Sequence, residues 1–377
     1  MVVLQSQFYL LEVLHALFSS CGFSCVLHGG EGEGHTDPEH KTQGNQENDK
    51  PVLALCISHC RSQWAVSGEN AGRHTAMYSA PSGDGLLYCT HSPAVMNWST
   101  SRHFPIAVSL EAIRAHTVSH STNFGGNGKR PASKPVPKGL HWDEWIGPAK
   151  FREYHDGLHP FSWRSWREFG TGTIGDMACH NLDVLFWALR VAEAKKFSVT
   201  CLSQTPGNDE MYPTDNVLLW EVPARGQMPA VKIHAYDHGG IMPPVMKDVQ
   251  SKYNIKFGEC TLFVGRQGLM RSEGTAGGWQ FIPYQRGKEI PKPPKTLPRA
   301  HGGPIDDLLY VMKNGGTPCS DFVTSAGPLA SFALSGHLAM LAGVGKKVEW
   351  DVQTMQCANL PEANKFACRE YRAGWEL

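Results

Sequence analysis

The sequence lacks an excess of charge of either sign. Lys+Arg and Asp+Glu are both 35, so the formal net charge is zero. A nucleic-acid binder held by counterion release needs a basic face, and a membrane-surface protein needs a polybasic stretch. Neither class is expected here. Long hydrophobic runs are also missing. The most apolar stretch, MVVLQSQFYLLEVLHALF, is broken by Gln5, Gln7, Glu12 and His15, whereas a spanning helix needs ~20 mostly apolar residues. No Lys or Arg precedes Lys41. The sequence as given therefore shows no positive n-region of a secretory signal; absence of a signal reads as cytoplasmic, and the sequence leaves the location open. The cysteines number 11 and form no dense framework, which favours reduced thiols over a disulfide scaffold.

What is present suits a globular chain. Of 377 residues, 41% are hydrophobic and 19% charged, enough to build a core. The length suggests two domains of roughly 150 residues each. Two halves of different texture can be read. Ten of the 18 His lie before residue 121, and HTDPEHKTQGNQENDK (35–50) contains no aliphatic or aromatic side chain. Such a run offers no burial to offset ordering entropy and reads as loop or disorder. Only a helix over residues 6–19 and an apolar run over Val52–Ile57 stand out in this half.

From Ile113 the pattern becomes orderly. A strand is expected over Ile113–Ser121, then a connector whose Pro131, Pro135 and Pro137 exclude regular structure. A helix is expected over Met177–Ala192, and strands over Phe197–Leu202, Asn216–Val222, Ala230–Tyr236 and Cys260–Val264, spaced by turns as in an antiparallel sheet. Two further helices, Pro304–Lys313 and Pro328–Leu341, begin at prolines. The fold class that follows is α+β, with one broad, mainly antiparallel sheet and flanking helices. The domain division expected is residues 1–110 and 111–377.

Chemistry concentrates in GTGTIGDMACHNLDVLFWAL, residues 170–189. Asp176 and His180 are four apart, so on a helix they share a face about one turn apart, with Asp183 nearby. A carboxylate beside an imidazole can orient the ring, and the pair can move a proton to or from a hydroxyl near neutral pH. Gly170, Gly172 and Gly175 would let the backbone approach a ligand closely. The same Asp also suits a helix-start cap whose His simply bonds it. One His with two Asp is an incomplete metal set.

Five of the 11 Trp fall between residues 142 and 187. His159, Trp163, Arg164 and Trp166 put flat rings beside hydrogen-bond donors, a surface that suits the CH faces and hydroxyls of a carbohydrate or cyclitol. The alternative is that these rings fill a core or a subunit interface.

HWDEWIGPA, YHDGLHPFSWRSWREFGTG, GDMACHNLD, YDHGGIMPP and the ending PEANKFACREYRAGWEL, in that order, resemble the Gfo/Idh/MocA oxidoreductases in their bacterial-type C-terminal domain, over about Ile113 to Leu377. The resemblance implies an N-terminal Rossmann domain that binds NAD or NADP. It also implies a C-terminal domain with a large open sheet, which supplies the substrate pocket and often builds homo-oligomers through the sheet face. The reaction implied is hydride exchange at a hydroxyl-bearing carbon of a sugar or cyclitol. His180 would be the acid/base and Asp176 would orient the substrate or His180, with His159, Trp163, Arg164, Trp166 and Asp183 toward the substrate. Relatives are often exported, and some cleave glycosidic bonds through transient oxidation. A non-catalytic carbohydrate-binding or oligomerisation module, or a redox-assisted glycosidase, are the alternatives.

The first half does not match the family pattern. A dinucleotide site needs a strand, a GxGxxG turn and a helix. The nearest stretch, CVLHGGEGEGH, has the wrong spacing, and its Glu31 and Glu33 would face a phosphate with the wrong sign. Asp49-Lys50-Pro51 only weakly resembles the family's EKP-type motif, which carries the catalytic Lys. Cys21, Cys25, Cys56, His59 and Cys60 are spaced too loosely for a typical zinc site. The expectation is an atypical or lost nucleotide-binding domain, from a frame accident or a fusion to a truncated gene, and impaired dehydrogenase activity.

Overall fold

The computed structural model describes residues 112–119, 126, 128–237, 242–274, 278–289 and 300–375. The expectations for residues 1–110 lie outside these residues: the low-order segment, the helix at 6–19, the run Val52–Ile57, the Lys50 motif and the cysteine cluster. In chain order the elements are β1 (Ala112–Ser119), α1 (Trp142–Ile146), α2 (Gly172–Ala188), β2 (Lys196–Gln204), β3 (Asn216–Val222) and β4 (Val231–Asp237). Then come α3 (Pro244–Tyr253), β5 (Cys260–Gly265), β6 (Gly268–Glu273), β7 (Trp279–Ile282), α4 (Arg286–Glu289) and α5 (Pro304–Asn314). A π-helical turn (Phe322–Ala326) leads into α6 (Gly327–Ala342), followed by β8 (Lys347–Asp351) and β9 (Gln356–Cys357).

The strands form one nine-stranded sheet in the order β7-β6-β5-β1-β4-β3-β2-β8-β9. Only β1 and β4 run parallel; the other described pairs are antiparallel. The sheet is open, as the sequence led one to expect. Period-2 alternation assigns its faces. Val231, Ile233 and Ala235 of β4 and Leu218, Trp220 and Val222 of β3 face one way and are buried. They join α2 and α6 in the main core, with Leu182, Leu185, Phe332 and Leu338. On the opposite face, α3 brings Met246 and Val249 onto Val118, Leu262 and Ile282. Away from α3 that face carries a charge ladder, in which Glu221 takes ion pairs from Lys232 and Lys347.

Helix α2 begins five residues before the position expected, because the glycines of its lead-in enter the first turn. It also ends sooner, at Ala188. Arg190 turns left-handed there (φ 53°), and the buried Arg225 guanidinium donates to the carbonyls of Leu189 and Arg190. That contact satisfies carbonyls that have no partner within the helix. Strands β6 to β9 were not anticipated. Lys347–Asp351 and Gly268–Glu273 are short and polar on alternate positions, and Trp279–Ile282 has only four residues. Each is defined by its neighbour more than by its own pattern.

Candidate functional site

Asp176 and His180 both lie on α2, four residues apart and partly exposed. The short 3-10 turn Ser162–Ser165 places Arg164 against Asp176. Arg164 Nε donates to Asp176 Oδ1 at 3.2 Å, and the two side chains are only 3% and 12% exposed. Its guanidinium lies against the rings of Phe161 (4.3 Å) and Trp163 (4.6 Å) and donates to the Phe161 carbonyl. Arg164 is therefore a fixed donor and not a mobile one.

Burial raises the Asp176 carboxyl above its ordinary value, and the charges of Arg164 and His180 oppose that rise. Burial also pushes the His180 imidazole below its ordinary value, against the pull of Asp176 and of Glu259 at the entry to β5. At neutral pH the ring is thus neutral, with a nitrogen able to accept a proton. A half-buried neutral imidazole one turn from an arginine-anchored carboxyl can serve as a general base toward a bound hydroxyl.

Residues 102–214 match the family model described as "Oxidoreductase family, C-terminal alpha/beta domain" (GFO_IDH_MocA_C2). Over this segment the chain is similar to the C-terminal domain of the Gfo/Idh/MocA oxidoreductases. The segment reaches from β1 through α2 and β2 and includes Arg164, Asp176 and His180, whereas Glu259 lies beyond it. Members of this oxidoreductase family are generally NAD(P)-dependent. No curated protein matches the chain.

In this segment the tryptophans follow the second of the two readings the sequence left open, packing in a core. Trp163 and Trp166 are buried, together with Trp142, Ile146, Tyr154, Leu158 and Phe169. The Trp166 indole donates to the Gly157 carbonyl at 2.9 Å. They form a satellite core and not an open sugar platform, because rings of this size gain more from mutual burial than from half-exposure. His159 is exposed, with its ring edge toward Trp145. Asp183 is buried one turn beyond His180.

The glycines also serve the protein's own packing and not an approaching ligand. A Cβ on Gly170 would overlap the Arg164 backbone, and one on Gly175 would overlap Thr171. Gly172 holds φ +59° with Tyr212 about 3.0 Å from where its Cβ would be. Gly170 is tight because the Arg164 turn folds back onto the start of α2. The three glycines do not form the pyrophosphate cradle of a dinucleotide site.

Sequence reading missed a second polar group. Asp237 closes β4 in the same inward row as Val231, Ile233 and Ala235, and Asn216 opens β3 in the row of Leu218 and Trp220. The two face each other in register, and Asn216 Nδ2 donates to Asp237 Oδ2 at 2.9 Å. Nearby, Thr261 Oγ1 donates to the Asn181 carbonyl (3.2 Å) and can accept from the Thr117 hydroxyl, also at 3.2 Å. The parity of YDHGG with the preceding strand was the available signal: a carboxylate in a core row is expensive unless it is used.

Proposed function

We propose that this chain carries the substrate side of an NAD(P)-linked oxidoreductase that acts at a hydroxyl-bearing carbon of a sugar or cyclitol. The observation that carries this reading is the α2 pair, with His180 held neutral by burial next to an Asp176 that is anchored by Arg164. In this reading His180 accepts the hydroxyl proton through its imidazole nitrogen. Asp176 keeps a negative field one turn away, which favours the imidazolium that forms. A nicotinamide, when bound, supplies the hydride acceptor. The first 110 residues carry no GxGxxG strand–turn–helix pattern, so weak nucleotide affinity and impaired turnover are expected. The open face beyond α3 is the part through which copies of the chain would associate, and its Lys232–Glu221–Lys347 ladder makes that contact polar.

Two measurements test the proposal. A titration with NAD+ and NADP+ that showed micromolar affinity would contradict the expected weak binding. Comparing His180→Ala with the parent chain tests the site: turnover lost with sugar binding kept supports the acid/base role, and equal turnover in both rejects it.

A further inference from the structure

We infer that the small cavity between α2 and the C-terminal ends of β1 and β4 is a subsite for a single alcohol group of a polyol, held by Asp237 and Asn181. The inference rests on the reading of α2 as the substrate face and adds a specificity-determining pair to it.

The cavity is lined by Thr117, Thr173, Met177, Asn181, Tyr236 and Asp237, among others, and holds about 20 Å³. That is room for one water-sized group and no more. Two of its lining side chains end in oxygens that have no partner among the described residues, Asp237 Oδ1 and Asn181 Oδ1. Both residues are deeply buried, at 3% and 5% exposure. Buried polar atoms are nearly always hydrogen-bonded, so two orphans at one void indicate a missing group.

The chemistry of the missing group follows from its neighbours. Among the described residues no cationic side chain acts on Asp237; burial pushes its carboxyl up to about 8, opposed by the Asn216 hydrogen bond and helped by the Asp215 charge. At neutral pH it is therefore a protonated acid, whose Oδ1 can present the proton while Oδ2 accepts from Asn216. The Asn181 amide oxygen only accepts. A group between them must accept from one and donate to the other. A carbonyl cannot donate, and an ammonium cannot accept. A multidentate metal site is also disfavoured, because among the described residues no three His, Cys, Asp or Glu side chains converge. A hydroxyl does both.

Position supports the same assignment. Residues 173, 177 and 181 form one row along α2, and 176 and 180 form the adjacent row about 100° around the helix. An alcohol in the cavity therefore sits beside the row that carries His180, as a second hydroxyl of a polyol would.

The same hydrogen bonds could be made by a structural water, so the test separates the two sources. Crystals of the full chain are soaked in myo-inositol and, separately, in D-glucose. A sugar hydroxyl between Asp237 and Asn181 is the expected result. A retained water, or a void closed by a direct Asp237–Asn181 bond, overturns the inference. A sugar seated at His180 with the cavity unfilled by it overturns the inference but leaves the proposed function standing. No sugar at either place counts against both. In solution, Asp237→Leu should weaken sugar affinity about 10-fold, while Asp237→Asn, which keeps a donor and an acceptor, should stay within about 3-fold. Asp237→Asn also guards against the possibility that the leucine variant fails to fold. Equal affinity for the parent and a folded leucine variant overturns the inference.

Discussion

Arg164 shows how a residue read as a surface contact becomes an anchor. Alternating with tryptophans, it reads as a donor aimed at a sugar; in the fold it is 3% exposed and clamped on Asp176. What the sequence could not reveal was the turn at Ser162–Ser165 that brings it back onto α2, since that contact spans twelve residues and depends on packing at Gly170. The i, i+4 spacing of Asp176 and His180, by contrast, is a local property and was legible. Removing the guanidinium leaves a buried carboxylate without its partner. Arg164→Ala is expected to lose ~3–5 kcal/mol of stability in urea denaturation, and Arg164→Lys to restore little of it, because a point ammonium cannot reproduce the stacked guanidinium. A loss below ~1 kcal/mol would mean the ion pair is not the anchor. For His180, the lowered imidazole value places the acidic limb of kcat/KM below the ordinary imidazole range, with a plateau through neutral pH. A limb centred above pH 7 would assign proton transfer to another group.

At the scale of elements, α6 lies unusually close to β3. Gly336 permits this, because a Cβ there would stand 2.6 Å from Leu218 and 3.2 Å from Trp220. The Leu218 methyl can yield, so Gly336→Ala should cost ~1–3 kcal/mol by overpacking, seen as a lower denaturation midpoint with an unchanged denaturant slope. One residue earlier, the Ser335 hydroxyl takes the buried Trp220 indole N–H at 2.9 Å. Ser335→Ala orphans that donor and should lose ~1–3 kcal/mol, whereas a neutral result would place a water there. The helix itself was legible from its proline start, and β3 and β4 from their alternation. What was not legible is that a glycine, usually unfavourable inside a helix, marks the contact between the two layers. The same limit applied at the start of α2, where glycines suggestive of a ligand turned out to accommodate Arg164, Thr171 and Tyr212.

For the molecule as a whole, the buried titratable groups set a pH window. His116 and His337 both fall to about 3 through burial. The unfolded chain binds their protons from pH 6.5 downward while the folded state refuses them, so stability drops as pH falls from 6.5 toward 3. Asp237 rises to about 8. Its unfolded form ionises near pH 4 while the folded form keeps the proton, so stability drops as pH rises from about 4 to 8. Between 4 and 6.5 the two histidines outweigh the one aspartate; above 6.5 the aspartate acts alone. The maximum of these three contributions lies near pH 6.5. Asp237→Asn should flatten the alkaline side in thermal denaturation across pH, and His337→Gln should flatten the acid side; unchanged slopes would refute the assignment. The open antiparallel sheet was legible because its central strands alternate cleanly, and the family match over residues 102–214 agrees with it. The short edge strands β7, β8 and β9 were not legible, since two to five residues carry too little pattern to stand alone. The central claim is that α2 presents an acid/base site for a polyol hydroxyl. It is tested most directly by following nicotinamide reduction at saturating NAD+ or NADP+ with a panel of sugars and cyclitols, for the parent chain and for His180→Ala. Slow turnover in the parent that falls by about 100-fold in the variant is the result expected; the same rate in both, or none in either, would contradict it.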